Sequence, residues 1–323
     1  MKRIGTAAAA ILCALCLPAR AQDWPAKPVR IVSPFAAGGS SDTVGRIVAE
    51  QLSERFGQSF YIENRGGAGG LIGSAAVASA PPDGYTFLVS SIGTHVIAPA
   101  TSASPPYDPI ESFTHVAYLG GPPIVIAVHP GLRVRTFGEL ARFLPNLDKP
   151  LAYASSGPGT VANLVAELWA EKAAIHLQHV AYKGAGQAIN DLVAGHVLMG
   201  AMTFTAALGQ MRGGTILPLA VTSRARMPDF PDVPTLAELG YPDLVVTTWF
   251  AIAAPAGLPP DIARRLNEAI GDALDAGPAH DRLAAEGFEL ARMSPADVTA
   301  FIRRELAKWG PLAKRLAGSD ATR

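Results

Sequence analysis

Short apolar runs alternate with stretches of helical periodicity from residue 29 to residue 253, and this alternation restricts the fold more than any other feature of the chain. The apolar runs predict strands at 29–33, 85–90, 123–128, 151–155, 176–182, 197–203, 216–222 and 247–253. Between them, Val44, Ile47, Val48, Leu52 and Phe56 put one apolar face on a helix over 42–56. Thr136 and Glu139 form a capping-box pair that opens a helix over 137–144, and 160–172 and 186–194 read as further helices. Strands and helices in this order predict parallel sheets flanked by helices, an α/β fold.

The last quarter changes character. Helices are expected at 260–276, 279–286 and 295–316, the last started by Ser294, Pro295 and Asp297. One apolar strand, "TTWFAIAAP", precedes this helical block. A chain that leaves one α/β unit, builds a second and then returns has this order. The expected division is 22–124 plus 249–323 for a discontinuous first lobe and 125–248 for the second. The crossings fall near 122–126 and 247–251, and no fixed-period repeat stands out.

Residues 1–21 read as an export signal: two basic residues, an apolar stretch too short to span a membrane, and Ala19-Arg20-Ala21. Cleavage is expected before Gln22, which places the mature chain in the periplasm. Cys13 and Cys16 make a lipid anchor the rival reading, but neither follows the small residue of a lipobox, so a soluble product is expected. Both cysteines leave with the signal, and with them disulfide and Cys–metal chemistry. Losing Lys2, Arg3 and Arg20 leaves 24 basic side chains against 27 acidic, a balance that gives nucleic acid no footing. No other apolar run is long enough to insert into a membrane, and no Asp, His or Cys cluster has metal-ligand spacing. Neither a metal nor a cofactor is expected. Nothing suggests more than a monomer.

Two glycine loops carry the chemistry. In "SPFAAGGSSDTVGRI", Gly38-Gly39-Ser40-Ser41-Asp42 lies between a strand and a helix. In "LAYASSGPGTVANL", Ser155-Ser156-Gly157-Pro158-Gly159-Thr160 does the same in the second lobe. A strand, a glycine turn and a helix start present free backbone N–H groups, and the helix dipole adds partial positive charge. Such a place binds a carboxylate as readily as a phosphate. Each loop alone is also explained as a turn with a helix cap. One in each lobe, at the carboxyl ends of strands, suggests two helix N-termini facing each other across a crevice. A carboxylate would then be clamped by backbone dipoles with little need for Arg or Lys.

Enzyme readings find less support. Gly157-x-Gly159-x-x-Ala162 fits the dinucleotide fingerprint, yet "HLQHVAYKGAG" lacks the acidic residue that should follow, leaving a dehydrogenase as a weak rival. There is no G-x-S-x-G, H-E-x-x-H or Walker lysine. His176 and His179 face opposite sides of a strand and read as surface or core residues. His95, in "SSIGTHVIAP", follows a strand end and faces either the crevice or a local hydrogen bond. No nucleophile, base and orienting group occur together.

In order and spacing, "WPAKPVRIVSPFAAGGSSD", "IENRGGAGGLIGSAAVASAPPDGYTFL", "YASSGPGT", "YKGAGQAINDLVAGHV", "LAVTSRARMPDFPDVPTLAELG" and "WFAIAAPAGLPPDIARRLNEAI" resemble the Bug-type extracytoplasmic solute receptors of the tripartite tricarboxylate transporter family. The resemblance covers nearly all of the chain after residue 21. It implies the type II periplasmic binding protein fold, two α/β lobes around a cleft with crossing strands. It implies a small carboxylate ligand, di-, tri- or aromatic, no catalysis, and delivery to a membrane transporter or presentation to a sensor kinase. On matching positions Phe35, Gly38, Gly39, Ser40 and Asp42 would line one side, and Ser155, Ser156, Gly157 and Thr160 the other. Ser91, Thr94 and His95 would lie near the floor, Tyr182 and Lys183 near the rim, and Trp249 and Phe250 on the crossing strand. Asp42 would cap its helix in preference to touching ligand. The chain departs from the family at "GHVLMGAMTF", where Leu198 and Met202 replace usual acids and Thr203 and Thr205 follow. That departure makes amino acids less suitable ligands, and an aromatic or aliphatic carboxylate would suit Met202 better.

Overall fold

The structure, a computed structural model, describes residues 24–182 and 184–320. The expected export signal, its cleavage site and Lys183 lie outside the described residues.

Ten strands form two five-stranded sheets. The first lobe holds β1 (Val29–Ser33), β2 (Phe60–Asn64), β3 (Thr86–Ser91), β4 (Phe113–Gly120) and β10 (Phe250–Pro255), in the order β2-β1-β3-β10-β4. The second holds β5 (Ile124–Val128), β6 (Leu151–Ser155), β7 (Leu177–Ala181), β8 (Met199–Thr203) and β9 (Leu217–Val221), in the order β7-β6-β8-β5-β9. The two lobes share one plan: three strands in the order 2-1-3, an inserted crossing strand, then a fourth. Nothing in the sequence revealed that common plan.

The sheets are mixed, which corrects the parallel sheets expected from the alternation. β1 pairs parallel with β2 and β3, and β6 parallel with β7 and β8. The inserted strands run the other way: β10 is antiparallel to β3 and β4, and β5 is antiparallel to β8 and β9. Each is the strand by which the chain enters a lobe from the other side, so its direction is set by the crossing. Both are fully buried and therefore read as continuous apolar runs, like parallel strands.

Helices cover both sheets: α1 (Ser40–Phe56), α2 (Leu71–Ala78), α3 (Ala98–Thr101), α4 (Phe137–Phe143), α5 (Val161–Ala173), α6 (Ala185–Val193), α7 (Phe204–Arg212), α8 (Pro260–Asp275), α9 (Pro278–Ala285) and α10 (Pro295–Asp320). α1 buries Val44, Ile47, Val48 and Leu52 as its spacing predicts, and Thr136 caps α4 by accepting from Glu139 N. Burying one such side chain stabilises the fold by roughly 1.5–3 kcal/mol. Two strands escaped the sequence reading. β2 is an edge strand with Tyr61 exposed, and β4, "FTHVAYLG", carries polar Thr114 and His115 inside a buried run.

The two crossings lie against each other. Thr248 N donates to Pro122 O at 2.8 Å, and Pro123 bridges Thr247. A Cβ at Gly121 would sit 2.3 Å from Thr248 O, so only glycine fits there. The expected first lobe took in everything after 249, but α10 serves both lobes. It packs on β4, while Lys308 Nζ donates to Val245 O at 3.1 Å and Arg315 pairs with Glu171 of α5 at 2.6 Å.

Candidate functional site: a cleft between the lobes

The carboxyl ends of all six parallel strands open onto one cleft of about 960 Å3. The loop after β1 supplies Phe35 and Gly38 to Ser41, that after β2 Ala68 and Gly69, and that after β3 Ile92 and Gly93. From the second lobe come Ser156 and Pro158 to Ala162 after β6, Gly184 to Gly186 after β7, and Thr203, Thr205 and Ala206 around the end of β8. Ile124, Thr248 and Phe250 of the crossing segments form the floor. This is the crevice that a doubly wound sheet leaves at its strand ends.

Helices α1, α5, α6 and α7 begin on this cleft, as do α2 at Leu71 and the single turn of α3 at Ala98. The N-cap of α1 is Gly39 and that of α6 is Gly184, and neither has a side chain to occupy the first-turn N–H groups. In α5, Thr160 Oγ1 accepts from Asn163 N at 3.3 Å, leaving the N–H groups of Val161 and Ala162 without an intrahelical acceptor. Among the described residues lining the cleft, Glu286 is the only charged one. The field inside comes from helix ends and hydroxyls, with Ser40, Ser41, Thr43, Ser156, Thr160, Thr203 and Thr205 all at the wall.

Asp42 shapes this wall without capping its helix. It stands at the third helical position and reaches back, its Oδ2 accepting from Gly38 N at 3.0 Å and from Arg46 Nε at 3.0 Å. Its Oδ1 accepts from Asn64 Nδ2 at 2.9 Å, and Asn64 also donates to Phe35 O. Burial pushes the Asp42 carboxyl up, but the bonds from Arg46, Gly38 and Asn64 together hold it below the usual carboxylate range. One buried carboxylate thus ties both ends of the glycine turn to α1 and β2.

The expected residues divide by which way their side chains point. Phe35, Gly38, Gly39, Ser40, Ser91, Ser156, Thr160, Thr203 and Phe250 line the cleft. Thr94 and His95 turn away from it. Thr94 Oγ1 accepts from Ser91 N at 3.0 Å, and His95 is fully buried against Phe113, 4.8 Å between ring centroids, and His115, 5.5 Å. Ser155 is buried behind Ser156, its Oγ 2.7 Å from His179 Nε2 and 3.2 Å from Gly157 N. Tyr182 donates to Asp191 Oδ2 at 2.7 Å, and burial together with that carboxylate pushes its phenol up to about 12. Met202, expected at the ligand, is instead fully buried among Val125, Leu192 and Phe204. Trp249 is likewise buried, and its indole donates to Glu305.

Sequence reasoning missed three contributors. The 66–70 glycine run enters the sequence reading only inside a stretch that carries the family resemblance, yet Ala68 and Gly69 line the cleft. Gly70, at φ +94°, fits beneath it, because a Cβ there would lie 2.6 Å from Thr94 Cγ2 and 3.2 Å from Phe35 Cζ. The α6 start at Gly184 repeats the strand, glycine turn and helix build of the other two loops, whereas Glu286 after α9 carries no local signal.

The sequence pattern of the tripartite tricarboxylate transporter family receptors matches residues 44–317. Protein BugT of Bordetella pertussis is 34% identical over 302 residues, spanning 93% of this chain and 92% of its own. Among solved structures, R. palustris Rpa4515 with adipate is 33% identical at a TM-score of 0.82, covering 92% of this chain and 99% of that one. MatC from Rhodopseudomonas palustris with bound malate is 31% identical at a TM-score of 0.78, covering 90% and 100%. The two lobes of like plan and the cleft between them are the architecture of these structures and of the periplasmic binding protein BugD, 32% identical at a TM-score of 0.78, and the chain belongs to the tripartite tricarboxylate transporter family of receptors.

Proposed function

We propose that this receptor captures a small carboxylate in the interlobe cleft and presents the closed, loaded form to a membrane transporter. The observation that carries the reading is the meeting on one cleft of helix N-termini from both lobes, among them α1 from one and α5, α6 and α7 from the other. Hydrogen bonds from backbone N–H groups to a carboxylate are charge-assisted and contribute about 1.5–3 kcal/mol each. They need no counter-charge. Relatives with adipate and with malate bound support the same ligand class.

A small carboxylate fills only part of about 960 Å3, so contact with both lobes requires the cleft to narrow. Ligand bridging then shifts an open–closed equilibrium about the paired crossings at 121–123 and 247–249. No described helix is long and apolar enough to cross a membrane. Export by residues 1–21, a periplasmic location and a monomeric state complete the reading.

A thermal-shift screen of residues 22–323 tests it, using di- and tricarboxylates, aromatic carboxylates, amino acids and nicotinamide dinucleotides. Native-state binding at a hundredfold excess over Kd stabilises by about 2.7 kcal/mol. A shift with one carboxylate class supports the receptor. A shift with dinucleotides alone overturns it.

A further inference from the structure

Behind the second-lobe loop lies a polar network built on Asn163, His179 and Ser155. Asn163 Oδ1 accepts from Gly159 N at 3.0 Å, which fixes the orientation of the Asn163 amide. Its Nδ2 therefore donates, to Tyr153 Oη at 2.8 Å and to His179 Nδ1 at 3.3 Å. A histidine that accepts at Nδ1 carries its proton on Nε2 when neutral. Nε2 lies 2.7 Å from Ser155 Oγ and donates to it. Ser155 Oγ in turn spans Gly157 N and Gly157 O, both at 3.2 Å. The His179 ring stacks on Tyr153, 4.9 Å between centroids and 20° apart, and Tyr153 Oη donates to Glu167 Oε1 at 2.6 Å.

We propose that His179 is a positioning residue for ligand capture: as the Nε2–H tautomer it holds Ser155, and through Ser155 and Asn163 it sets the glycines that aim the 156–162 backbone into the cleft. The inference rests on the carboxylate-receptor reading for its affinity readout alone. Each link has a direction imposed by its neighbour. Gly159 orients Asn163, Asn163 fixes the imidazole tautomer, and the imidazole fixes Ser155. The loop N–H groups are held before ligand arrives, which lowers the ordering cost of binding. β7 brings His179 beside its register partner Tyr153 of β6, and the alternation of side chains puts both on the same face of the sheet.

Two measurements test the proposal. In ligand-free protein labelled with 15N-histidine, long-range 15N–1H correlation spectra should show His179 protonated at Nε2 at pH 7.5, and the Nδ1–H tautomer would overturn the proposal. His179→Phe keeps the ring stack on Tyr153 and removes both nitrogens. It should speed exchange of the Gly157 and Gly159 amide hydrogens and weaken adipate binding about tenfold. His179→Gln restores a donor near Ser155 and should recover both readouts. A His179→Phe protein with wild-type amide protection, or a Gln variant no better than Phe, sinks the proposal. Failure of adipate and every other carboxylate to bind wild-type protein would count against the receptor reading. The tautomer and the amide protection would still decide the role of His179.

Discussion

Trp249 Nε1 donates to Glu305 Oε2 at 3.0 Å, tying the second crossing segment to the C-terminal helix. Trp249 sits between two cleft-floor residues, Thr248 and Phe250, while Glu305 rides on the helix that touches both lobes. Burial holds the Glu305 carboxyl above its usual range despite the indole donor. Glu305→Ala leaves a buried indole N–H without its acceptor and should cost about 1–3 kcal/mol in thermal denaturation. Glu305→Gln keeps an acceptor and should cost less. Because the native pKa is raised, ionisation of Glu305 opposes folding as pH rises through that value, so Gln should compare best with wild type at high pH. Equal losses for both variants would remove the hydrogen bond from the account.

Asp42 holds the glycine loop that lines the cleft. Asp42→Ala releases Gly38 N, Arg46 and Asn64 at once, and should weaken carboxylate binding about tenfold while costing about 1–3 kcal/mol of stability. Calorimetric titration with a carboxylate and with its amino-acid analogue checks the route. A loss confined to the amino acid would mean that Asp42 touches the ligand.

Gly70→Ala places a methyl group against Thr94 and Phe35 at a left-handed backbone position. Overpacking typically costs 1–3 kcal/mol, and the wall that gives way carries a cleft residue, so affinity should fall with stability. Gly214→Ala, also at positive φ but with open space around it, is the control, and should lose about 1 kcal/mol and no affinity.

His95 and His115 make the native state acid-sensitive. Burial pushes His115 down to about 4 and His95 well below its usual value, with each other's proximity adding to the fall for His95. Unfolding exposes imidazoles that titrate near 6.5, so below that pH the unfolded chain binds more protons. Stability should be lost as pH falls from about 6.5 toward 4, at up to about 1.4 kcal/mol per pH unit for each histidine. Tm measured from pH 8 to 5 should bend downward below about 6.5, and His115→Gln should flatten the bend. A curve that is the same for both proteins would rule out His115 as its source.

Glu286 faces a cleft otherwise lined by donors and apolar groups. Thr205 Oγ1 donates to its main-chain oxygen at 2.8 Å, which fixes it beside the first turn of α7. A second ligand carboxylate near it is repelled, so Glu286→Gln should tighten adipate relative to hexanoate by roughly three- to tenfold. An unchanged ratio in paired titrations would show that the far end of the ligand lies elsewhere.

The sequence by itself determined the strands that read as apolar runs. β1 and β6 match their expected limits, and β5, β7, β8 and β9 fall within them. It also determined the two glycine loops at α1 and α5, since a strand that turns at once into a helix needs glycine and a short polar side chain. Edge strand β2 and polar β4 lack that signature and were not legible.

Which neighbours face the cleft was decided only by the tertiary structure. Thr203 lines the cleft while Met202 packs into the core, and Thr248 and Phe250 form the floor while Trp249 between them reaches to Glu305. Successive residues of an extended chain point to opposite sides, and the sequence fixes that alternation without naming the side. The side is chosen when two lobes of the same plan fold around a common crossing and leave a cleft on one of them.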